Sequence, residues 1–192
     1  FVTIERLAKN HGLKIFDVER LTTHGGSLRV YLCRHDASYA PSPAVGALLA
    51  HERRSGFEDI TTYAKFSTKV HRTKRQLLLF LIELKEKGAK VCGYGAPGKG
   101  NTLLNYCAIG RDFLDFTVDR NPYKHGLYTP GMHIPIYPVS AIDDARPDYL
   151  LILPWNLTQE IVQQMGHVGD WGCKFIVAIP NVEVIDPRDL AP

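Results

Sequence analysis

Apolar positions along this chain change their spacing three times, and each change predicts a different kind of element. Phe1, Ile4, Leu7, Ala8 and His11 recur at three or four residues, as on one face of a short amphipathic helix, and Gly12 supplies its stop. The next segments, Leu13 to Leu21 and Leu28 to Cys33, alternate with period two and predict a pair of strands, the second with Leu28, Val30 and Leu32 on one face. Between them Thr22-Thr23-His24-Gly25-Gly26-Ser27 reads either as a hairpin-like connection or as a functional loop presenting His24 and Ser27. Residues His35 to Pro43 are polar, contain two prolines and look like a linker. From Phe57 to Lys87 there is neither Gly nor Pro, and Tyr63, Phe66, Val70, Leu77, Leu81 and Leu84 return at helical spacing, so one long helix or two stacked ones is expected.

Beyond Gly88 short apolar runs alternate with helical ones. Strand-like segments at Lys90 to Cys92, Phe113 to Val118, Tyr149 to Leu153 and Lys174 to Ile179 are separated by helix-like segments at Thr102 to Ile109, Val139 to Asp144 and Leu157 to Met165. This alternation predicts an α/β fold: a parallel sheet with helices on both faces, preceded by a long helix and a small N-terminal extension of one helix and two strands. In such a sheet ligands bind at the carboxyl ends of the strands. The segments falling there are Gly93 to Gly100, Asp119 to Gly131 and Pro154-Trp155-Asn156.

Composition narrows the class without choosing a function. The 192 residues are 45% hydrophobic and 22% charged, ordinary values for a globular protein, and the net charge of +3 is too small to argue for nucleic acid. No apolar run approaches the roughly 18 residues of a membrane-spanning helix. The four cysteines, Cys33, Cys92, Cys107 and Cys173, show no C-x-x-C spacing, so neither a zinc site nor a disulfide framework is expected. They read as buried thiols in a reducing cytoplasm. Lys65, Lys69, His71, Arg72, Lys74 and Arg75 make the middle of the long helix basic, either a solvated face or a surface for an acidic partner or a substrate phosphate, and an interaction module would use that helix to dock a partner or a second copy of the chain.

The chemistry concentrates in Gly93-Tyr94-Gly95-Ala96-Pro97-Gly98-Lys99-Gly100, placed between a strand and a helix. A backbone so free of side chains can approach phosphate oxygens, while the N-terminus of the following helix offers unpaired N–H groups and a positive partial charge. Gly93, Gly95 and Gly98 match G-x-G-x-x-G, and Asp119, 21 residues after Gly98, ends the second strand-like run where a ribose hydroxyl would be met. Gly93, Gly98 and Lys99 nearly spell a Walker loop, but Gly100 replaces the Ser/Thr that would hold magnesium, which argues against nucleotide hydrolysis. A glycine turn that only lets the helix pack close to the sheet is the competing reading. Trp155 beside Asn156 offers a stacking surface and an amide, or simply a packed core aromatic.

Thr23-His24-Gly25-Gly26-Ser27-Leu28-Arg29-Val30, the run from Gly93 to Tyr106 including Asn101, Pro130-Gly131 with His133-Ile134-Pro135-Ile136, and Leu153-Pro154-Trp155-Asn156 occur in that order. Together they resemble the C-terminal part of the S-adenosylmethionine-dependent sugar C-methyltransferases, which act on nucleoside-diphosphate-linked deoxysugars, typically dTDP-linked 4-keto sugars. The resemblance implies a division into 1–36, the end of a methyltransferase domain; 37–88, a linker and long helix; and 89–192, a Rossmann-like domain that binds the sugar nucleotide. It also implies that the methyl donor, the zinc cysteines and the family's catalytic Glu-His pair belong to missing N-terminal domains upstream of Phe1. The chain is thus expected to be a piece of something longer, with no catalytic residue, cofactor or metal of its own. Its implied share is substrate binding by His24, Ser27, Gly93, Gly95, Ala96, Gly98, Lys99, Gly100, Asn101, Asp119, Trp155 and Asn156. Two other readings stay open on the residues alone: an NAD(P)-binding domain of an oxidoreductase, resting on G-x-G-x-x-G and Asp119, and a non-catalytic interaction module built on the long helix.

Overall fold

The structure, a computed structural model, describes residues 1–190. They form two compact units, Phe1–Lys69 and a second from Val70 onward. In the first, helix α1 (Val2–Asn10) and helix α2 (Pro43–Arg54) pack on an antiparallel pair, β1 (Leu13–Leu21) and β2 (Ser27–Arg34). A bulge between Ile15 and Asp17 resets the side-chain alternation, so Ile15 and Val18, three apart, both point into the core with Val2, Ala8, Val45, Leu48 and Leu49. On the face of β2 predicted from its alternation, Val30 packs on that core while Leu28 and Leu32 are exposed. Helix α2 falls in the stretch expected as linker and long helix. Ser42 precedes Pro43 at its first turn, and Val45, Leu48, Leu49 and Glu52 lie on its buried side.

Helix α3 (Ile60–Glu86) is a single helix of 27 residues, and the join between the two units lies inside it. Of its predicted apolar stripe only Leu77, Leu81 and Leu84 are buried; Tyr63 and Phe66 are exposed. Lys74 of the basic stretch donates to the Tyr106 carbonyl oxygen at 2.7 Å and sits over the Tyr106 ring.

The second unit is a six-stranded sheet in the order β5-β4-β3-β6-β7-β8, from β3 (Val91–Tyr94), β4 (Thr117–Val118), β5 (Ile136–Tyr137), β6 (Tyr149–Ile152), β7 (Lys174–Val177) and β8 (Glu183–Ile185). All neighbours are parallel except β7 and β8. Counted within this unit the order is 3-2-1-4-5-6, the doubly wound arrangement whose direction reverses between its first and fourth strands, here β3 and β6. Both faces of the inner strands are buried, as parallel sheets require, and exposure is confined to the edge strands β5 and β8. Val91, Leu151 and Ile176 face α3 and α4 (Gly98–Cys107), whereas Cys92, Leu150, Ile152, Phe175 and Val177 face α5 (Ala141–Ala145) and α6 (Thr158–Gln164).

Two differences from the sequence reading matter for the site. Strand β4 is only two residues long, because the Phe113 and Leu114 amides bond the Gly110 carbonyl in a turn instead of joining the ladder. Helix α4 begins four residues earlier than its apolar spacing suggests, so Gly98, Lys99 and Gly100 are its first turn rather than loop. Among the described residues no helix is long and apolar enough to cross a membrane.

Candidate functional site

The glycine-rich turn leaves β3 at the point where strand order reverses, and separate contacts fix its two ends. Gly95 has φ +87°, and a Cβ there would stand 2.7 Å from Pro154 Cδ, so backbone and packing both demand glycine. Its N–H donates to the Val118 carbonyl at 2.6 Å, and its carbonyl accepts the buried Thr117 hydroxyl at 2.8 Å. Ala96 is held from both sides. Its N–H donates to Asp119 Oδ2 at 2.7 Å, and its carbonyl accepts from Lys124 Nζ at 3.0 Å. Lys124 also donates to Asp119 Oδ2 at 2.9 Å, and the Asn121 N–H donates to Oδ1 at 2.9 Å. Burial pushes the Asp119 carboxyl up, but the bonds from Asn121, Lys124 and Ala96 outweigh it and hold the group below the usual carboxylate range.

The other end is open. Pro97 is the N-cap of α4 and has no side chain that could accept from the first-turn N–H groups. A Cβ at Gly98 would meet nothing within 4 Å. Gly100 is different: a Cβ there would come within 2.8 Å of Leu153 Cβ, so helix and sheet approach closely at this residue. That contact explains why glycine stands where a Walker loop carries its hydroxyl.

Lys99 leans across the turn. Its Nζ donates to Asn156 Oδ1 and lies 5.0 Å from the centre of the Trp155 ring. Trp155 is half-buried and packs against the cores on both faces of the sheet, so the aromatic is at once core and platform for the ammonium. Asn101 donates its N–H to the Pro97 carbonyl, and its own carbonyl accepts from Asn105 Nδ2. Its Oδ1 is buried with no partner among the described residues.

The structure therefore gathers Gly93, Gly95, Ala96, Gly98, Lys99, Gly100, Asn101, Asp119, Trp155 and Asn156 within the second unit. His24 and Ser27 lie in the first, at the 3-10 turn Thr23–Gly25, where His24 is strained at φ 56° and the Ser27 hydroxyl donates to the Thr23 carbonyl at 3.0 Å. Lys124 was legible only as one of several donors between Asp119 and Gly126. Tyr94 and Arg120, which the sequence places in the motif and in the loop after Asp119 without a role, and Glu160 and Gln164, which it does not single out, line with Gly95, Pro97, Asp119, Pro154, Leu157 and Ile161 a cleft of about 230 Å³ beside the turn. The signal for Glu160 and Gln164 was their spacing of four on α6. The larger hollows of this unit, about 820 Å³ beside Val162 and Ile185 and about 860 Å³ beside Leu79 and Ile82, touch none of the motif residues.

The four cysteines are free thiols; burial pushes Cys92 and Cys173 up to about 12. No group of three or more His, Cys, Asp or Glu that could hold a metal ion occurs among the described residues.

Comparison with known proteins agrees with the motifs. C-methyltransferase NovU of Streptomyces niveus is 36% identical over 179 residues, covering 93% of this chain and 43% of that protein, so the chain spans less than half the length of this relative. Among solved structures, UDP-D-quinovosamine 4-dehydrogenase from Vibrio fischeri aligns over 54% of this chain and 98% of its own, with 20% identity and a TM-score of 0.39, too low to carry an argument. The sequence pattern of the C-methyltransferase C-terminal domain matches residues 22–180, and the chain belongs to that family.

Proposed function

We propose that this chain is the substrate-binding portion of an S-adenosylmethionine-dependent C-methyltransferase acting on a nucleoside-diphosphate-linked keto-deoxysugar. The observation that carries the reading is the uncapped first turn of α4, with Lys99 at its second position, at the reversal of strand order. Backbone N–H groups of Gly98, Lys99 and Gly100, the helix dipole and the Lys99 ammonium favour a diphosphate there. Asn156 and Trp155 hold that ammonium in place. The same residues do not suit the methyl donor, whose sulfonium carries positive charge and which has no phosphate. Its site is assigned to other parts of the parent protein.

Asp119 weighs against the oxidoreductase reading. In a dinucleotide site the acid after the second strand accepts ribose hydroxyls. Here both carboxylate oxygens already accept from Ala96, Lys124 and Asn121, and a lysine neutralises the charge. Calorimetric titration with dTDP, a dTDP-hexose, NAD and S-adenosylmethionine tests the assignment. Saturable binding of the dTDP ligands alone is expected, and saturable NAD binding lost on Asp119→Asn would replace this reading with the oxidoreductase one.

A further inference from the structure

Tyr94, the last residue of β3 before the glycine-rich turn, is only 4% exposed, and its hydroxyl has no hydrogen-bond partner among the described residues. The hydroxyl itself is not sealed off: Asn101 Oδ1 is the one buried side-chain polar atom without a partner among the described residues, so the small exposed part of Tyr94 includes its oxygen. The ring packs in the core with Val118, Ile152 and Ile161, and the hydroxyl end lies in the field of Arg120, Asp119 and Glu160. All three of those charged residues line the 230 Å³ cleft, as does Tyr94 itself, so the hydroxyl faces that space. Burial holds the phenol above its ordinary range, opposed in part by Arg120, and it stays a proton donor at neutral pH.

Beside these charged groups and Gln164 the cleft wall is apolar, lined by Pro97, Pro154, Leu157 and Ile161. Across its mouth Arg120 Nη1 donates to Glu160 Oε1 at 3.1 Å and to Gln164 Oε1 at 3.4 Å, while Gln164 Nε2 donates to Glu160 Oε1 at 3.0 Å. This network sets a planar guanidinium at the rim. The cleft is smaller than the roughly 300 Å³ and upward that encloses a whole drug-sized ligand, so it suits one part of a sugar nucleotide. A polyhydroxylated sugar would leave its hydroxyls against prolines and leucine; a flat ring with one or two acceptors would not.

We propose that this cleft holds the nucleobase of the nucleoside diphosphate, with the Tyr94 hydroxyl donating to a ring carbonyl and the Arg120 guanidinium covering the ring at the rim. The assignment rests on the diphosphate reading above, since Gly95, Pro97 and Pro154 are shared by the cleft wall and the turn that leads into α4.

The test compares inorganic pyrophosphate with dTDP as titrants. Unmodified protein is expected to bind dTDP at least about 10-fold more tightly than pyrophosphate. Tyr94→Phe keeps the ring in its core position and removes only the donor; it should weaken dTDP by about 5- to 20-fold, the cost of one buried hydrogen bond, and leave pyrophosphate unchanged. Leu157→Arg, at a position already exposed, should fill the cleft and bring dTDP down to the pyrophosphate level. Equal binding of dTDP and pyrophosphate by the unmodified protein, or dTDP binding indifferent to both substitutions, overturns the nucleobase cleft and leaves the diphosphate site standing. Failure of both titrants to bind overturns both.

Discussion

Ala96 and Gly98 stand two residues apart in one glycine-rich turn and meet opposite surroundings. The protein takes up both polar backbone groups of Ala96, the N–H by Asp119 and the carbonyl by Lys124. Around Gly98 it places nothing within reach of a side chain and leaves the first turn of α4 without a capping oxygen. A motif of evenly sprinkled glycines is thus split into a part that anchors the turn to β4 and a part left open, where the proposed diphosphate would approach. Gly95 and Gly100 answer to packing; Gly98 between them answers to approach.

The sharpest way to break this division is Gly95→Ala. With φ +87° and Pro154 Cδ 2.7 Å from the new methyl, it should cost about 3 kcal/mol of stability through strain and overpacking, read by urea unfolding. Gly100→Ala meets only the clash with Leu153 and should cost about 2 kcal/mol in the same measurement. A Gly95 or Gly100 variant as stable as the parent would remove the packing half of the account.

Asp119→Asn should come next, at about 1 to 2 kcal/mol, because the ion pair with Lys124 is lost and the N–H of Ala96 donates to a neutral amide instead of a carboxylate. The sign with pH follows from the lowered carboxyl. Its contribution is full above the ordinary value near pH 4 and is lost as pH falls through the lower folded-state value, so the acid limb of the stability curve should be shallower in Asp119→Asn. Identical acid limbs would mean the clamp carries no weight.

Gly98→Ala should move stability least, by about 0.5 kcal/mol or less, since the position is open and helical. Its effect should appear instead as weaker dTDP binding, with the methyl between backbone and phosphate. Unchanged binding would place the phosphate elsewhere.

How much of this was legible depended on whether spacing or contact decided the matter. The alternation beyond Gly88 points to the parallel sheet because the inner strands β3, β6 and β7 are buried on both faces and read as apolar runs between helical ones. Strand β5 and the antiparallel β8 have too few residues, two and three, to show a period. Helix α2 carried its signal in Val45, Leu48 and Leu49, but Pro41 and Pro43 read as linker punctuation rather than as the entry to a helix. At the site, G-x-G-x-x-G located the turn and Asp119 its acid. That the acid would be consumed by Ala96 and Lys124 is a matter of tertiary contact, as is the burial of Tyr94 beside Arg120, and no spacing along the chain encodes either.

Amide chemical shifts followed by NMR during a dTDP titration test the two-ended turn most directly. The account predicts saturable shifts at Gly98, Lys99 and Gly100, with the Ala96 amide still bonded to Asp119 and little changed. Gly98 to Gly100 amides that stay in place while Ala96 or the His24 to Ser27 turn takes the largest shifts would contradict it.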